Sequence, residues 1–279
     1  EMLRSLVGSE MCIRDRPYGT WIIREIESPK GYVLSEEEIA VTIGKVDEVV
    51  EIELVNYFIK GNIALTKVDE DYPDNKLSGA VFEVYSDTNG DGKLDKDDTL
   101  LGEMKELDGG VYQMSELRYG KYLVKETKAP TGFVLDENVY SVSVEENGKT
   151  YTVENKAGVG FINAAQKGSL KIVKTSSDGK VEGFSFRVTG VDYDQTFKTD
   201  KNGEIVIEGL RIGDYTVSEV SDKASAGYIL PADKQATVKV NATAIVQMHN
   251  EFRDTPKTGD DFNLGLWVSL SVLSVVGAG

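Results

Sequence analysis

Between residues 17 and 252, apolar and polar side chains alternate in short runs, and no long stretch keeps a helical period. Typical runs are 139-VYSVSV-144 and 236-ATVKVNA-242, with Gly, Asn and Asp between runs. A period of two sends successive side chains to opposite faces of a strand. The pattern therefore predicts antiparallel strands stacked as β-sandwiches.

The alternation also places polar side chains in apolar company. In 122-YLVKETKAPTGF-133, Tyr122, Val124 and Glu126 share a face, although one of them is a carboxylate. The segment has two counterparts, 21-WIIREIESPKGY-32 and 215-YTVSEVSDKASAGY-228, which place Glu25 and Glu219 on equivalent faces. A second repeat, Asn-x4-Gly-x5-Lys, links Asn56, Gly61 and Lys67, then Asn163, Gly168 and Lys174. Lys67 follows Ile63 and Leu65 on its face, and Lys174 follows Leu170 and Ile172. Asn163 lies with Phe161, Asn250 with Val246 and Met248, and Asn56 with Ile52 and Leu54. In the middle repeat Asn155, on a face with Tyr151 and Val153, is a rival to Asn163, but only Asn163 keeps the repeated spacing.

These registrations divide the chain into a C-terminal half-domain (17–58) and complete domains at 60–165 and 167–252, followed by a tail at 253–279. Each complete domain aims one Lys, one Glu and one Asn inward from its first, a middle and its last strand. Burying one such group alone costs several kcal/mol. Desolvation lowers a lysine pKa and raises a glutamate pKa, so a neutral amine beside a neutral acid is the expected state. A neutral amine is a nucleophile, and a protonated carboxyl can shuttle protons. Attack on the carboxamide carbon with loss of ammonia would leave a Lys–Asn isopeptide bond.

The segment 122-YLVKETKAPTGF-133 resembles the glutamate-bearing motif of Cna protein B-type domains, found in SpaA-like pilins and adhesins of Gram-positive bacteria. The stretches GNIALTKVDED and LSGAVFEVY resemble that family's first two strands. The resemblance implies an all-β chain of tandem prealbumin-like, Ig-like sandwiches with intramolecular isopeptide bonds. Carried over, the bonds are Lys67–Asn163 with Glu126 as catalyst, and Lys174–Asn250 with Glu219. Glu25 and Asn56 would serve a bond whose lysine is lost by truncation. The third copy departs from the pattern, since 220-VSDKASAGY-228 is two residues longer and lacks the proline.

The 18 uncharged residues of 262-FNLGLWVSLSVLSVVGAG-279 are at the lower limit for a membrane span. An apolar C-terminal helix with transient membrane contact is expected there. Before it, Thr255, Pro256, Lys257, Thr258 and Gly259 resemble the LPXTG signal read by sortase, with Thr in place of Leu. That resemblance implies cleavage after Thr258 and transfer to peptidoglycan or to a pilin subunit, on an extracellular, wall-anchored protein. The basic residues that normally follow the span are absent, which suggests truncation.

Charge narrows the partners. Asp+Glu 47 against Lys+Arg 31 gives a formal charge of −16 with scattered basic residues, which argues against nucleic acid or anionic lipid. The acids are densest in 87-DTNGDGKLDKDD-98, which matches an EF-type calcium loop. Asp87, Asn89, Asp91, Lys93 (through its carbonyl), Asp95 and Asp98 would supply the ligands, framed by strands rather than helices. The single cysteine, Cys12, lies in residues 1–16, which match nothing else in the chain and look like a translated sequencing adapter. No Ser-His-Asp set or His/Cys cluster is present, so the expected role is a stalk module and not a turnover enzyme. The alternatives are the stalk of a secreted cell-surface hydrolase, or a module that itself binds host extracellular matrix.

Overall fold

The computed structural model describes residues 18–45 and 49–253. Among the described residues every regular element is a strand. The expected C-terminal helix, the sortase-like residues 255–259 and residues 1–16 lie outside them.

The chain divides into two compact units, residues 1–166 and 167–279. The first holds β1 (Gly19–Arg24), β2 (Glu38–Ile43), β3 (Lys60–Asp69), β4 (Val81–Ser86), β5 (Thr99–Glu103) and β6 (Lys105–Asp108). It continues with β7 (Val111–Arg118), β8 (Gly120–Lys128), β9 (Val139–Val144), β10 (Thr150–Thr152) and β11 (Phe161–Asn163). The second holds β12 (Lys167–Ser176), β13 (Ser185–Gly190), β14 (Tyr193–Lys198) and β15 (Glu204–Arg211). Its remaining strands are β16 (Gly213–Glu219), β17 (Tyr228–Ile229), β18 (Lys234–Val238) and β19 (Thr243–Phe252).

Each complete domain is built from two sheets. In the first unit these are β10-β3-β7-β6, with β11 also on β3, and β5-β4-β8-β9. In the second they are β15-β12-β19-β17 and β14-β13-β16-β18. The alternation seen in the sequence is the burial pattern: in β3, Ile63, Leu65 and Lys67 are all buried, and in β19, Val246, Met248 and Asn250. Aromatic rings fill the first core, where Phe82 packs edge-on to Tyr112 at 5.2 Å and to Phe161 at 5.0 Å, in the geometry that ring quadrupoles favour.

Two expectations need correction. The strands are not all antiparallel, because β10 and β11 run parallel to β3, and β19 runs parallel to β12. A parallel neighbour cannot be joined by a tight hairpin; here the whole domain serves as the connection, so first and last strands leave their sheet in the same direction. The second correction concerns Asn56, which is not on a regular strand with Ile52 and Leu54, since residues 51–57 form none and Ile52 is exposed. The neighbour that β12 gives to β19 has no counterpart for this segment among the described residues.

The glycine of the Asn-x4-Gly-x5-Lys repeat has a steric cause. A Cβ at Gly61 would stand 2.8 Å from the Lys149 carbonyl oxygen, and one at Gly168 would stand 2.2 Å from that of Lys239. The turn leading into β10 in the middle domain, and into β19 in the third, therefore packs on bare backbone. That close approach seats the parallel neighbour beside the first strand, six residues before the lysine.

Candidate buried crosslinking site

In the middle domain β3 supplies Lys67, β8 supplies Glu126 and β11 supplies Asn163. Phe161 is opposite Lys67 and Asn163 is opposite Asp69, so the asparagine lies one same-face step beyond the lysine. The third domain repeats this register, with Met248 opposite Lys174 and Asn250 opposite Ser176. Glu126 and Glu219 reach in from the facing sheet, paired across their strands with Phe82 and Phe186.

The middle trio is sealed from water, with the Lys67 and Glu126 side chains at 0% exposure and 3.6 Å between Nζ and Oε1. Lys67 Nζ donates to the Phe161 carbonyl at 3.1 Å and sits over the Phe161 ring, 4.8 Å from its centre. Asn163 Nδ2 donates to both oxygens of Glu126, at 3.0 and 2.9 Å. Glu126 Oε2 also accepts the Asp136 backbone N–H at 2.8 Å. The Asn163 Oδ1 is buried without a hydrogen-bond partner.

Burial pushes the Lys67 pKa down to about 8, against the opposing pull of Glu126 and, less strongly, of Asp136. A lysine at that value is neutral in roughly a tenth of molecules at pH 7, against a few in ten thousand for an ordinary one. A primary amine, a carboxyl and a carboxamide thus meet in a dry cavity, with a usable fraction of the amine unprotonated.

The third trio has the same members. Asn250 Nδ2 donates to Glu219 Oε1 at 2.6 Å, and Lys174 Nζ lies 4.3 Å from the centre of the Phe184 ring. Burial lowers the Lys174 pKa, partly offset by the Glu219 charge. Burial raises the Glu219 pKa despite the Asn250 hydrogen bond and the Lys174 charge. Both shifts favour neutral amine with neutral acid. Glu219 Oε2 and Asn250 Oδ1 are buried without partners.

The first copy retains the acid–amide pair, in a less buried setting. Asn56 Nδ2 donates to both Glu25 oxygens at 2.8 Å, and Ser35 N–H donates to Glu25 Oε2 at 2.7 Å. The rival Asn155 is engaged elsewhere. Its Nδ2 donates to Asp136 Oδ2 and to the Ile162 carbonyl, while its Oδ1 accepts the Ile162 N–H. It clips β11 in place through the residue before Asn163.

Sequence reasoning missed Asp136, which holds Glu126 by its backbone and Asn155 by its side chain. Its signal was positional: Ser35 and Asp136 each lie ten residues after the glutamate they tether.

The acidic segment 87–98 lies between β4 and β5, strand-framed as expected. Asp87 is buried and accepts the Gly90 and Gly92 N–H groups at 2.7 and 3.1 Å. Asp98 accepts from Thr88 and Asp95, Asp91 from Lys93, and Asn89 Nδ2 donates to Asp95. Among the described residues no group of three or more His, Cys, Asp or Glu side chains is gathered as a metal site.

The model for the family described as SpaA, prealbumin-like fold domain, matches residues 8–57, 61–157 and 168–252. The first match begins inside the segment set aside as adapter-like. Among solved structures, the Bacillus anthracis TIE protein is similar at 26% identity and a TM-score of 0.65, over 86% of this chain. This chain spans 42% of that protein's length. The minor pilin GBS52 of Streptococcus agalactiae matches at 18% identity and a TM-score of 0.32, over 71% of this chain and 98% of that one. The shaft pilin SpaA of Lactobacillus rhamnosus GG (D295N mutant) matches at 15% identity and a TM-score of 0.33, over 70% and 99%. No curated protein matches the chain.

The depressed Lys67 value sets a pH dependence in any variant that keeps the amine free, such as Asn163→Ala. Between about 8 and the ordinary 10.5 the unfolded chain holds a proton at Lys67 that the folded chain lacks, so stability climbs with pH across that window. Urea titrations should show Asn163→Ala gaining about 3 kcal/mol over this range relative to Asn163→Ala/Lys67→Met. Parallel profiles for the two variants would contradict the assignment.

Proposed function

Because this chain belongs to the SpaA prealbumin-like fold domain family, we propose that it is a stalk segment of a Gram-positive surface protein or pilin subunit, whose complete domains crosslink themselves. The observation that carries this reading is Glu126 in contact with both Lys67 and Asn163, all three buried. In each complete domain the neutral lysine Nζ attacks the asparagine Cγ. The Nζ–Cγ bond forms, the Cγ–Nδ2 bond breaks, and the glutamate carries a proton from the attacking nitrogen to the departing one, which leaves as ammonia. Atoms balance without any outside reagent, and the reaction runs once per domain, so no turnover enzyme is implied.

The product joins first strand to last, Lys67 to Asn163 and Lys174 to Asn250, so tension passes through a covalent bond instead of peeling the sheet. Closing a loop of roughly a hundred residues restricts the unfolded chain by about 4–5 kcal/mol on the entropy model used for disulfides. Thr255–Gly259 is the proposed sortase site, which would attach the protein to peptidoglycan or to other pilin subunits. Host-matrix binding by these modules, or service as the stalk of a surface hydrolase, remains the alternative use of the same architecture.

The intact mass of the full chain should fall two ammonia molecules below the value calculated from sequence. Lys67→Ala or Glu126→Ala should restore one of them, and Lys174→Ala the other. A mass equal to the sequence value would defeat the proposal.

We also propose that the loop at 87–98 takes up calcium. Support comes from four alternate acidic or amide positions and from the Asp87–Gly92 contact that folds the loop's first half. The side chains that now cap backbone amides would turn toward the ion. Calcium titration should raise the melting temperature of the chain saturably, with the effect abolished in Asp87→Ala; no shift at millimolar calcium would refute it.

A further inference from the structure

The three acid–amide pairs sit at equivalent points of the fold. Tyr32 bridges to Phe58, Phe133 to Ala165, and Tyr228 pairs with Phe252; each partner lies two residues after the asparagine of its copy. Three residues beyond those aromatics stand Ser35, Asp136 and Pro231. The first two donate their backbone N–H to the second oxygen of the local glutamate, at 2.7 and 2.8 Å. Proline has no N–H to donate, and Glu219 Oε2 is the oxygen left buried without a partner.

The longer segment of the third copy does not make up the loss. Its Asp222 folds back on the Ala224 and Ser225 amides and accepts from the Ser185 hydroxyl. The charged groups acting on Glu219 are Lys174 from β12 and Asp222 from this segment, while β19 contributes the uncharged Asn250.

We propose that Pro231 is a positioning residue of the third domain, withholding the backbone donor that tethers the glutamate in the other copies, and so keeping Glu219 Oε2 free to carry the proton used in bond formation. The proposal rests on the crosslinking reading for its purpose, though not for its test. A hydrogen bond from a backbone N–H favours the charged carboxylate; removing it leaves two acceptors, Glu219 Oε2 and Asn250 Oδ1, without donors. A proton on Oε2 turns one of those acceptors into a donor. One residue outside the trio thereby decides whether the third-domain glutamate carries the backbone tether that Glu25 and Glu126 have.

The experiment uses the full chain carrying Lys174→Ala, in which no third-domain bond can form whatever the fate of the crosslinking reading. Carbon-13 NMR of labelled glutamate, assigned by comparison with Glu219→Gln, gives the Glu219 titration midpoint. Adding Pro231→Ala or Pro231→Ser should lower that midpoint by about one pH unit, the scale of one backbone hydrogen bond to a carboxylate. A new amide proton at position 231 should also exchange slowly and shift as Glu219 titrates. An unchanged or higher midpoint in a folded variant would overturn the proposal. A second measurement needs no change at Pro231: if any amide proton of residues 229–233 follows the Glu219 titration in the Lys174→Ala chain, the donor is supplied by another route and the proposal fails.

Discussion

Three polar side chains that ought to seek water are drawn into each complete domain, all three buried in the middle domain and Glu219 half-buried beside buried Lys174 and Asn250 in the third, and the fold around them makes sense only if they answer to each other. Lys67 and Glu126 are fully buried and Asn163 nearly so, and the cost of such burial is several kcal/mol for each group left unmatched. Mutual hydrogen bonds offset part of it. The rest appears as displaced protonation: a lysine pulled down to about 8 and, in the third domain, a glutamate pushed up. Shifts in these directions are those that would let an amine act as nucleophile and a carboxyl as proton carrier. In the proposed reaction, a strain on stability would become a chemical potential for one irreversible step.

The strand order decides where the proposed step would act. First and last strands run parallel and adjacent, β3 with β11 and β12 with β19. Pulling on the ends of such a domain loads the contact between these strands directly. A bond from Lys67 to Asn163, or from Lys174 to Asn250, would span that contact, and the bare glycines Gly61 and Gly168 let the chain approach closely enough for the register to form.

Much of this could be read in the sequence because strands report their faces with a period of two. Ile63, Leu65 and Lys67 alternate in burial as the sequence alternates, so an inward lysine was visible as soon as the strand was. The parallel pairing was not visible, since alternation fixes which face a residue occupies and says nothing of its neighbour's direction. Asn56 misled for a related reason: its run alternates like a strand, but a strand needs a neighbour, and residues 51–57 form none. The backbone donors at Ser35 and Asp136 act through atoms common to nearly all residues, so their identities carried no signal. Only where proline removes the group, at Pro231, does the sequence mark the position. In segment 87–98 the sequence shows the alternate acids but not the backbone amides of the loop that their carboxylates cap.

The most direct test of the central claim is tandem mass spectrometry of a tryptic digest. A joined Lys67 resists trypsin, so the account predicts one branched peptide in which residues 61–76 are linked to residues 157–167, lighter by one ammonia than the two linear peptides together. Recovery of residues 61–67 and 157–167 as separate linear peptides, with no branched species, would contradict it.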